Sequence, residues 1–305
     1  EWSNWIPVRF DELRAGGMCR LYLQRARQPF CLYVSPVNLD PRAPAVPIST
    51  PGHYAASLAR AIGRFHTQGM PEDTRALSAG VFSDDEYRHQ ALDMLAEQER
   101  LFEYQLDAFK DGFFFFYFST LDLNSHAFWR TMDTGHPLYT TELAAKHGDF
   151  LPSLYRRLDR AVARALARQD GETLVLVLSD HGFGSFRRQF NLNRWLIENG
   201  YLVMRDSSDT RGVFGDVDWT RTRAYGLGIN SLYLNMAGRE PNGCVKPGIE
   251  AEDVANRLAT ELQSVMDGPK GERVMAHVYQ GRHAYSGPHA LNAPDLVLGY
   301  SPTYR

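Results

Sequence analysis

The sequence is poor in cysteine, and its cysteines follow no ligand or disulfide pattern. Three cysteines occur in 305 residues, namely Cys19, Cys31 and Cys244. Their spacing matches no metal-binding motif, and a sparse, odd-numbered set argues against a disulfide framework, although a Cys19–Cys31 pair stays open. The fold must therefore rest on a hydrophobic core. The 44% of hydrophobic residues and the length of the chain are sufficient for one.

Long apolar runs and an excess of one charge are also absent. The longest purely apolar run near the middle of the chain, Phe113 to Phe118, is far shorter than the ~20 residues that span a bilayer. The first residues do not resemble a signal peptide. The formal net charge of -3 contrasts with the basic surface of nucleic-acid-binding proteins. We therefore expect neither a membrane segment nor a nucleic-acid partner, and the sequence indicates no compartment or oligomeric state.

Glycine-rich phosphate-binding loops and internal repeats are missing as well. The sequence has no P-loop and no dinucleotide-binding fingerprint. The glycines Gly226 and Gly228 lie within an apparent strand and are weak evidence for either. Nucleotide-binding folds that depend on such loops are therefore disfavoured.

Two apolar segments predict buried strands. The segment Leu174–Leu178 alternates Leu and Val without a charge, and the segment from Phe113 to Thr120 is almost wholly aromatic, patterns typical of strands inside a sheet. A helical pattern from Pro152 to Gln169 lies between them. A strand, a helix and a strand of these lengths predict a parallel pair. The sequence therefore indicates an α/β protein with a mostly parallel central sheet between helices.

Further elements are predicted on both sides of this unit. Ser83 and Glu86 form a capping box at the start of a helix that continues to about Phe109. Other helices are predicted at 53–65, 191–199 and 250–266, and short strands at 19–24, 30–37, 201–204, 223–229, 232–235, 274–279 and 295–300.

An aspartate and a histidine follow each of the two predicted buried strands. Asp122 and His126 follow the aromatic strand four residues apart, so a turn or a first helical turn can bring both to one point. Asp180 and His181 follow the aliphatic strand. The carboxyl ends of parallel strands meet at one edge of a sheet, where α/β proteins bind their ligands. Carboxylate oxygen beside imidazole nitrogen is a ligand pair for zinc or manganese. Two such pairs at one edge predict a two-metal site.

Structural interpretations of the same residues stay open. Asp122 and Asp180 can each cap a helix, and His126 can be a partly buried histidine with satisfied hydrogen bonds. His181 can simply be exposed in a turn. The coincidence of two pairs favours the metal site over these alternatives.

The motifs around these residues resemble a known family. The segments "LDLNSHAFWR" and "SDHGF", together with "DPRAP", "GMPEDT", "NLNRWLIENGYL", "DWTRTRAYGLGINSLYLNMAGRE" and "APDLVLGYSPTYR", look like the type I phosphodiesterase/nucleotide pyrophosphatase family of the alkaline phosphatase superfamily, in its bacterial branch. The resemblance covers most of the chain. It implies an alkaline-phosphatase-like α/β sandwich in which two zinc ions bridge a bound phosphate. One metal would take Asp122 and His126, and the other would take Asp180 and His181.

The resemblance also implies residues that the sequence does not contain. The family supplies a further metal aspartate and a Thr or Ser nucleophile from segments before Glu1, and a last metal histidine from a segment after Arg305. We therefore expect a partial catalytic domain over residues 1–305, an internal fragment of a longer polypeptide that need not be active alone. The residues Ser49, Thr50 and Thr120 are poor nucleophile candidates, and His277, His283 and His289 are poor candidates for the missing ligand.

Substrate contacts are predicted from charge and from the resemblance. Arg187 follows the second ligand pair closely, and a guanidinium binds phosphate oxygens bidentately, although an arginine pair with Arg188 is more often a solvated surface. The resemblance places Arg223, Tyr225 and Asn230 near the substrate mouth. The inserted loops and strands around 201–290, including a loop at 206–216, would shape the substrate side.

The predicted function is a metal-dependent hydrolase of phosphate esters, of phosphodiesterase or nucleotide pyrophosphatase type. Two divalent metal ions, zinc or alternatively manganese, would act on a small phosphate ester or nucleotide. Phosphomonoesterase, phosphonate hydrolase and phosphomutase activities on the same metal frame are alternatives, because specificity lies in loops. A non-catalytic interaction domain with the same architecture is an alternative of another class.

Overall fold

The chain divides into two compact units, each of which contains helices and short antiparallel strands. The computed structural model describes residues 1–10, 15–205, 214–268 and 271–305. These residues divide into two compact units, Glu1–Phe183 and Gly184–Arg305. The single catalytic domain expected over residues 1–305 stays a prediction.

The first unit begins with five short strands. They are β1 (Ile6–Phe10), β2 (Ala15–Cys19), β3 (Leu21–Arg25), β4 (Cys31–Val34) and β5 (Asn38–Leu39). β1, β2 and β5 form an antiparallel sheet in that order, with β2 in the middle. β3 and β4 form an antiparallel hairpin in which Tyr22 pairs with Tyr33.

Six α-helices follow in the described part of the first unit. They are α1 (Tyr54–Ile62), α2 (Thr74–Ser78), α3 (Asp84–Ala108), α4 (Thr120–Phe128), α5 (Thr141–His147) and α6 (Phe150–Leu166). The long helix α3 presents Tyr87, Ala91 and Leu95 at intervals of four residues, and all three are fully buried. They share a hydrophobic core with Phe128 of α4 and Leu154 of α6.

The second unit is built on a four-stranded antiparallel sheet. Its elements are α7 (Leu192–Glu198), β6 (Ala224–Leu227), β7 (Ser231–Leu234), α8 (Ile249–Gln263), β8 (Met266–Asp267), β9 (Glu272–Arg273), β10 (Met275–Gln280), α9 (Gly281–Ala284) and β11 (Leu296–Tyr300). The strand order is β10-β11-β7-β6. Val254, Leu258 and Leu262 of α8 pack into one core with Leu232 and Leu298 of the sheet.

Most predicted elements are confirmed within a few residues of their ends. The helices predicted at 53–65, 152–169, 191–199 and 250–266 correspond to α1, α6, α7 and α8. The predicted segment 201–204 is not a strand but contributes only a bridge between Met204 and Val217. All three cysteines are free thiols, so the structure contains no Cys19–Cys31 disulfide. No helix of the described residues is both long and apolar enough to cross a membrane.

The two predicted buried strands are not formed. Residues 113–119 and 174–179 carry no strand assignment, and Thr120 already belongs to α4. Phe114, Phe116 and Phe118 pack beside Phe102 of α3, whereas the intervening Phe113 is 89% exposed. The aromatic segment therefore buries only one of its two faces.

The aliphatic segment is more exposed still, with Leu174 at 78% and Leu178 at 79%. The prediction of a buried parallel pair is therefore wrong for the described structure, in which every pairing between named strands is antiparallel. An extended segment buries both faces only when strands flank it and layers cover it. Among the described residues, neither segment has a neighbouring strand of this kind.

The capping box of α3 yields a stability prediction. Ser83 Oγ accepts a hydrogen bond from the Glu86 amide, and the Glu86 carboxylate accepts one from the Ser83 amide. Replacing Ser83 by Ala should lower the free energy of unfolding by about 1 kcal/mol, because it leaves a helix N–H group without its acceptor. Urea denaturation measures this. Ser78→Ala, at an exposed serine near the end of α2, is the control and should change it by less than about 0.5 kcal/mol. Equal effects would contradict the assignment.

Candidate metal centre

The first predicted ligand pair lies on helix α4. Asp122 and His126 are four residues apart, so the helix places both side chains on one face. His126 Nε2 lies 3.7 Å from Asp122 Oδ1. The His126 side chain is 65% exposed, whereas that of Asp122 is 31% exposed. The expectation that a first helical turn brings the two groups to one point is confirmed.

The second predicted pair lies in an exposed segment without regular structure. The Nδ1 atom of His181 lies 2.8 Å from the carbonyl oxygen of Gly182, and Ser179 Oγ donates to the carbonyl oxygen of His181. With Nδ1–H as the donor, Nε2 carries the lone pair and is free to bind a cation. Metal-binding histidines in proteins are held in this way.

The structure brings all four residues together. His181 Nε2 lies 3.5 Å from Asp180 Oδ2 and 3.8 Å from Asp122 Oδ1. Asp122 therefore stands between the imidazoles of His126 and His181, and the four groups form one connected string. They do not meet at the edge of a parallel sheet, because that sheet is not formed here. Helix α4 and the exposed segment that contains His181 bring the four residues together instead.

The electrostatics of the string favour positive charge. The hydrogen bond to the Gly182 carbonyl raises the pKa of His181 above its usual value, and the nearby carboxylates of Asp180 and Asp122 raise it further. The exposed imidazole of His181 therefore lies where a positive charge is favoured. A proton and a divalent metal ion compete for the same Nε2 position.

The observation that most favours a cation site is a buried carboxylate oxygen without a hydrogen-bond partner in the described part of the chain. Asp122 Oδ1 is inaccessible to water and has no hydrogen-bond partner among the described residues. A buried oxygen without a donor is costly, and a bound cation would satisfy it. Asp122 Oδ1 with the two Nε2 atoms also provides the donor chemistry of a zinc site.

The separations are slightly too wide for a closed site. Two ligand atoms on one tetrahedral zinc ion are about 3.4 Å apart when each bond is about 2.1 Å. The observed separations are 3.5 to 3.8 Å. Within the described ranges no group of three or more His, Cys, Asp or Glu side chains is arranged so that it could hold a metal ion as it stands. The donor set thus fits a divalent metal in its chemistry, and small side-chain movements would be needed to close around one.

Aromatic side chains that the sequence analysis did not single out pack beside His126. The ring of Phe183 meets His126 edge-on at 4.9 Å between centroids and lies 5.1 Å from Trp129. Both residues belong to the quoted motifs "SDHGF" and "LDLNSHAFWR". Their place in those motifs was the available signal. The packing restricts the orientation of the His126 ring.

The predicted substrate residues all belong to the second unit. Arg223 donates to Glu250 Oε1 at 2.8 Å, and Tyr225 of β6 packs against Trp219 with ring centroids 5.1 Å apart. The carbonyl of Asn230 accepts from the Leu298 amide, and the Arg187 amide donates to the Thr303 carbonyl. Burial raises the pKa of Tyr225. These contacts give structural roles to all four residues, and their roles toward substrate stay predictions.

Two hydroxyl side chains that the sequence analysis rejected as nucleophiles make structural hydrogen bonds. Ser49 Oγ accepts from the Ala55 amide at the start of α1, and the Thr120 hydroxyl is buried in a hydrogen bond to Glu72. Both contacts are structural and agree with their rejection as nucleophiles. In the loop predicted at 206–216, residues 206–213 lie outside the described residues.

The comparison with protein families places the chain. The model of the family described as type I phosphodiesterase / nucleotide pyrophosphatase matches residues 45–305. The chain therefore belongs to this family, within the alkaline phosphatase superfamily. Neither the curated proteins nor the solved structures contain a significant match. The matched region includes all four residues of the string.

Membership determines the general chemistry. The family consists of phosphoric ester hydrolases with an alkaline-phosphatase-like α/β fold. Its members are typically metal-dependent and act on small phosphate esters or nucleotides. The placement in a bacterial branch and the expectation of an internal fragment stay predictions.

The orphaned oxygen of Asp122 yields a prediction about metal-linked stability. Asp122→Asn removes an uncompensated carboxylate and keeps its shape, so the variant without metal should be at least as stable as the wild type. Zinc at 100 times its dissociation constant should stabilise the wild type by about 2.7 kcal/mol and the variant by much less. Urea denaturation with EDTA and with zinc measures both. A clear loss of stability in EDTA together with unchanged stabilisation by zinc would contradict the metal assignment.

Proposed function

We propose that this chain carries a two-metal centre for phosphodiester hydrolysis, in which Asp122, His126, Asp180 and His181 are metal ligands. The observation that carries the proposal is the position of Asp122 Oδ1. It is buried, lacks a hydrogen-bond donor, and has imidazole nitrogens at 3.7 and 3.8 Å. Membership in a family of phosphoric ester hydrolases supports the same reading.

Each residue has a distinct part in this proposal. Asp122 and His126 would hold one metal ion from the rigid face of α4, and Asp180 with His181 would hold the second from the loop. The hydrogen bond to Gly182 keeps the proton of His181 on Nδ1 and leaves Nε2 for the metal. Phe183, which packs against Trp129, limits the motion of the His126 ring.

The chemistry follows from charge. Bound divalent ions would lower the pKa of an attacking hydroxyl and neutralise the charge that develops on the phosphoryl oxygens. As metal ligands, the four side chains would hold the two ions in place. The nucleophile is not assigned to any of them. Zinc is the preferred metal because the donor set mixes nitrogen and oxygen, and manganese is the alternative.

The activity is tested by metal-dependent hydrolysis of bis(p-nitrophenyl) phosphate, with p-nitrophenyl phosphate as the monoester comparison. His181→Ala should lower the zinc content and reduce turnover by orders of magnitude, while the stability of the metal-free protein stays near wild type because the side chain is exposed. The matched control is His283→Ala, which alters an exposed histidine of the second unit.

Zinc content is measured per chain, so the site assignment is tested independently of turnover. A His181→Ala variant with wild-type zinc content and turnover would end the assignment. Preferential hydrolysis of the monoester would instead favour the phosphomonoesterase alternative on the same metal frame.

The raised pKa of His181 predicts how zinc binding depends on pH. The folded protein holds the His181 proton more tightly than an isolated imidazole does, whose pKa is about 6.5. Zinc must displace that proton, so the apparent zinc affinity should begin to fall above pH 6.5 as the pH decreases. Competition with a chromophoric chelator between pH 8 and 5.5 measures this. A flat profile over that interval would contradict ligation through His181.

A further inference from the structure

A group of buried polar side chains lies behind the helix that carries Asp122 and His126. Thr120, the first residue of α4, is completely buried, and Glu72 is 4% exposed. The Thr120 hydroxyl donates to Glu72 Oε1 at 2.8 Å. Glu72 lies in the motif "GMPEDT" just before α2, and no role was assigned to it from the sequence.

The same helix terminus is also connected to α3. Gln98 Nε2 donates to Ser119 Oγ at 3.0 Å, and Gln98 Oε1 lies 3.2 Å from Thr120 Oγ1. Ser119 occupies the N-cap position but makes no capping hydrogen bond with its side chain. The first turn of α4 is therefore held from outside, by Glu72 and Gln98, instead of by a local cap.

The geometry of α4 links this anchor to the metal ligands. Thr120, Asn124 and Phe128 repeat every four residues and are all fully buried. Asp122 and His126 also repeat every four residues but are displaced by two positions, which places them on the opposite side of the helix. A rotation of α4 about its axis would therefore move the ligands directly. A directional hydrogen bond at Thr120 opposes such a rotation, whereas apolar packing alone is less specific.

Burying the Glu72 carboxylate costs free energy that a purely structural role does not explain. Burial raises its pKa, and the hydrogen bond from Thr120 opposes that shift only in part. Its second oxygen, Oε2, has no hydrogen-bond partner in the described part of the chain. Of the nearby titratable groups, His66 favours the charged form of Glu72, but His66 is itself paired with the buried Glu97. A carboxylate with so little compensation contributes little net stability.

We propose that Glu72 is a positioning residue, which fixes the rotation of α4 through its hydrogen bond with Thr120 and so aims Asp122 and His126 at the metal. This inference rests on the proposed function, because it concerns residues assigned there as ligands. Glu72 acts through the helix and does not itself contact metal or substrate. Thr120 and Gln98 complete the anchor.

The inference is tested with a matched pair of substitutions at Thr120. Thr120→Val keeps the shape and removes the donor, and its zinc affinity should fall about tenfold, as for outer-shell partners of metal ligands. Thr120→Ser restores the hydroxyl and should restore the affinity. The control is Thr222→Val, which alters another fully buried threonine, whose hydroxyl accepts from the Val203 amide in the second unit. It should lower the melting temperature and leave zinc affinity unchanged.

Substitutions at Glu72 separate positioning from stability. Glu72→Gln keeps an acceptor oxygen for Thr120, so it should retain zinc affinity. Glu72→Leu removes the acceptor and should lose affinity even where the protein stays folded. Wild-type affinity in both Thr120→Val and Glu72→Leu, or an equal loss in Thr222→Val, would overturn the inference.

Amide hydrogen exchange without metal distinguishes this failure from failure of the proposed function. In the metal-free protein, Thr120→Val should accelerate exchange across residues 120–128, and Thr120→Ser should not. Unchanged exchange in Thr120→Val would overturn the anchoring of α4 by itself. A wild-type protein that takes up no zinc while its exchange responds as expected would overturn the proposed metal centre and leave the anchor in place.

Discussion

The site depends on a buried carboxylate oxygen that the protein leaves without a hydrogen-bond donor. Asp122 Oδ1 has two imidazole nitrogens within 3.8 Å and no hydrogen bond from the described residues. Such an arrangement is unfavourable in the metal-free protein and becomes favourable when a cation binds. This constraint gives a proposed function to two elements. Helix α4 fixes the orientation of Asp122, and the loop at 179–183 places His181 beside it.

The two halves of the string differ in rigidity, and this difference bears on function. Asp122 lies on a helix whose inner face is fully buried and whose first turn is tied to Glu72 and Gln98. Asp180 and His181 lie in an exposed segment with 85% and 56% exposed side chains. Functional residues on loops gain their accuracy from a rigid scaffold. In the proposed metal centre, the α4 pair would therefore provide the fixed reference, and the loop pair would adjust to the metal.

The local patterns were predictable from sequence, and the long-range pairing was not. Helical periodicity and the Ser83 capping box gave α3 and its start correctly, because both depend on neighbours within four residues. The i, i+4 spacing of Asp122 and His126 likewise gave their proximity. The segments 113–118 and 174–178 look like buried strands in composition, yet burial depends on partner strands that a local pattern does not specify. Glu72 illustrates the same limit, since its partner Thr120 is 48 residues away.

The most direct test of the metal centre is a crystal structure of the protein soaked with zinc, with anomalous diffraction data collected on both sides of the zinc absorption edge. The account predicts anomalous density within about 2.2 Å of Asp122 Oδ1 and of an imidazole Nε2 from His126 or His181. It further predicts that Asp122→Asn loses this density. Zinc bound elsewhere, with Asp122, His126, Asp180 and His181 unchanged and without density, would contradict the central claim.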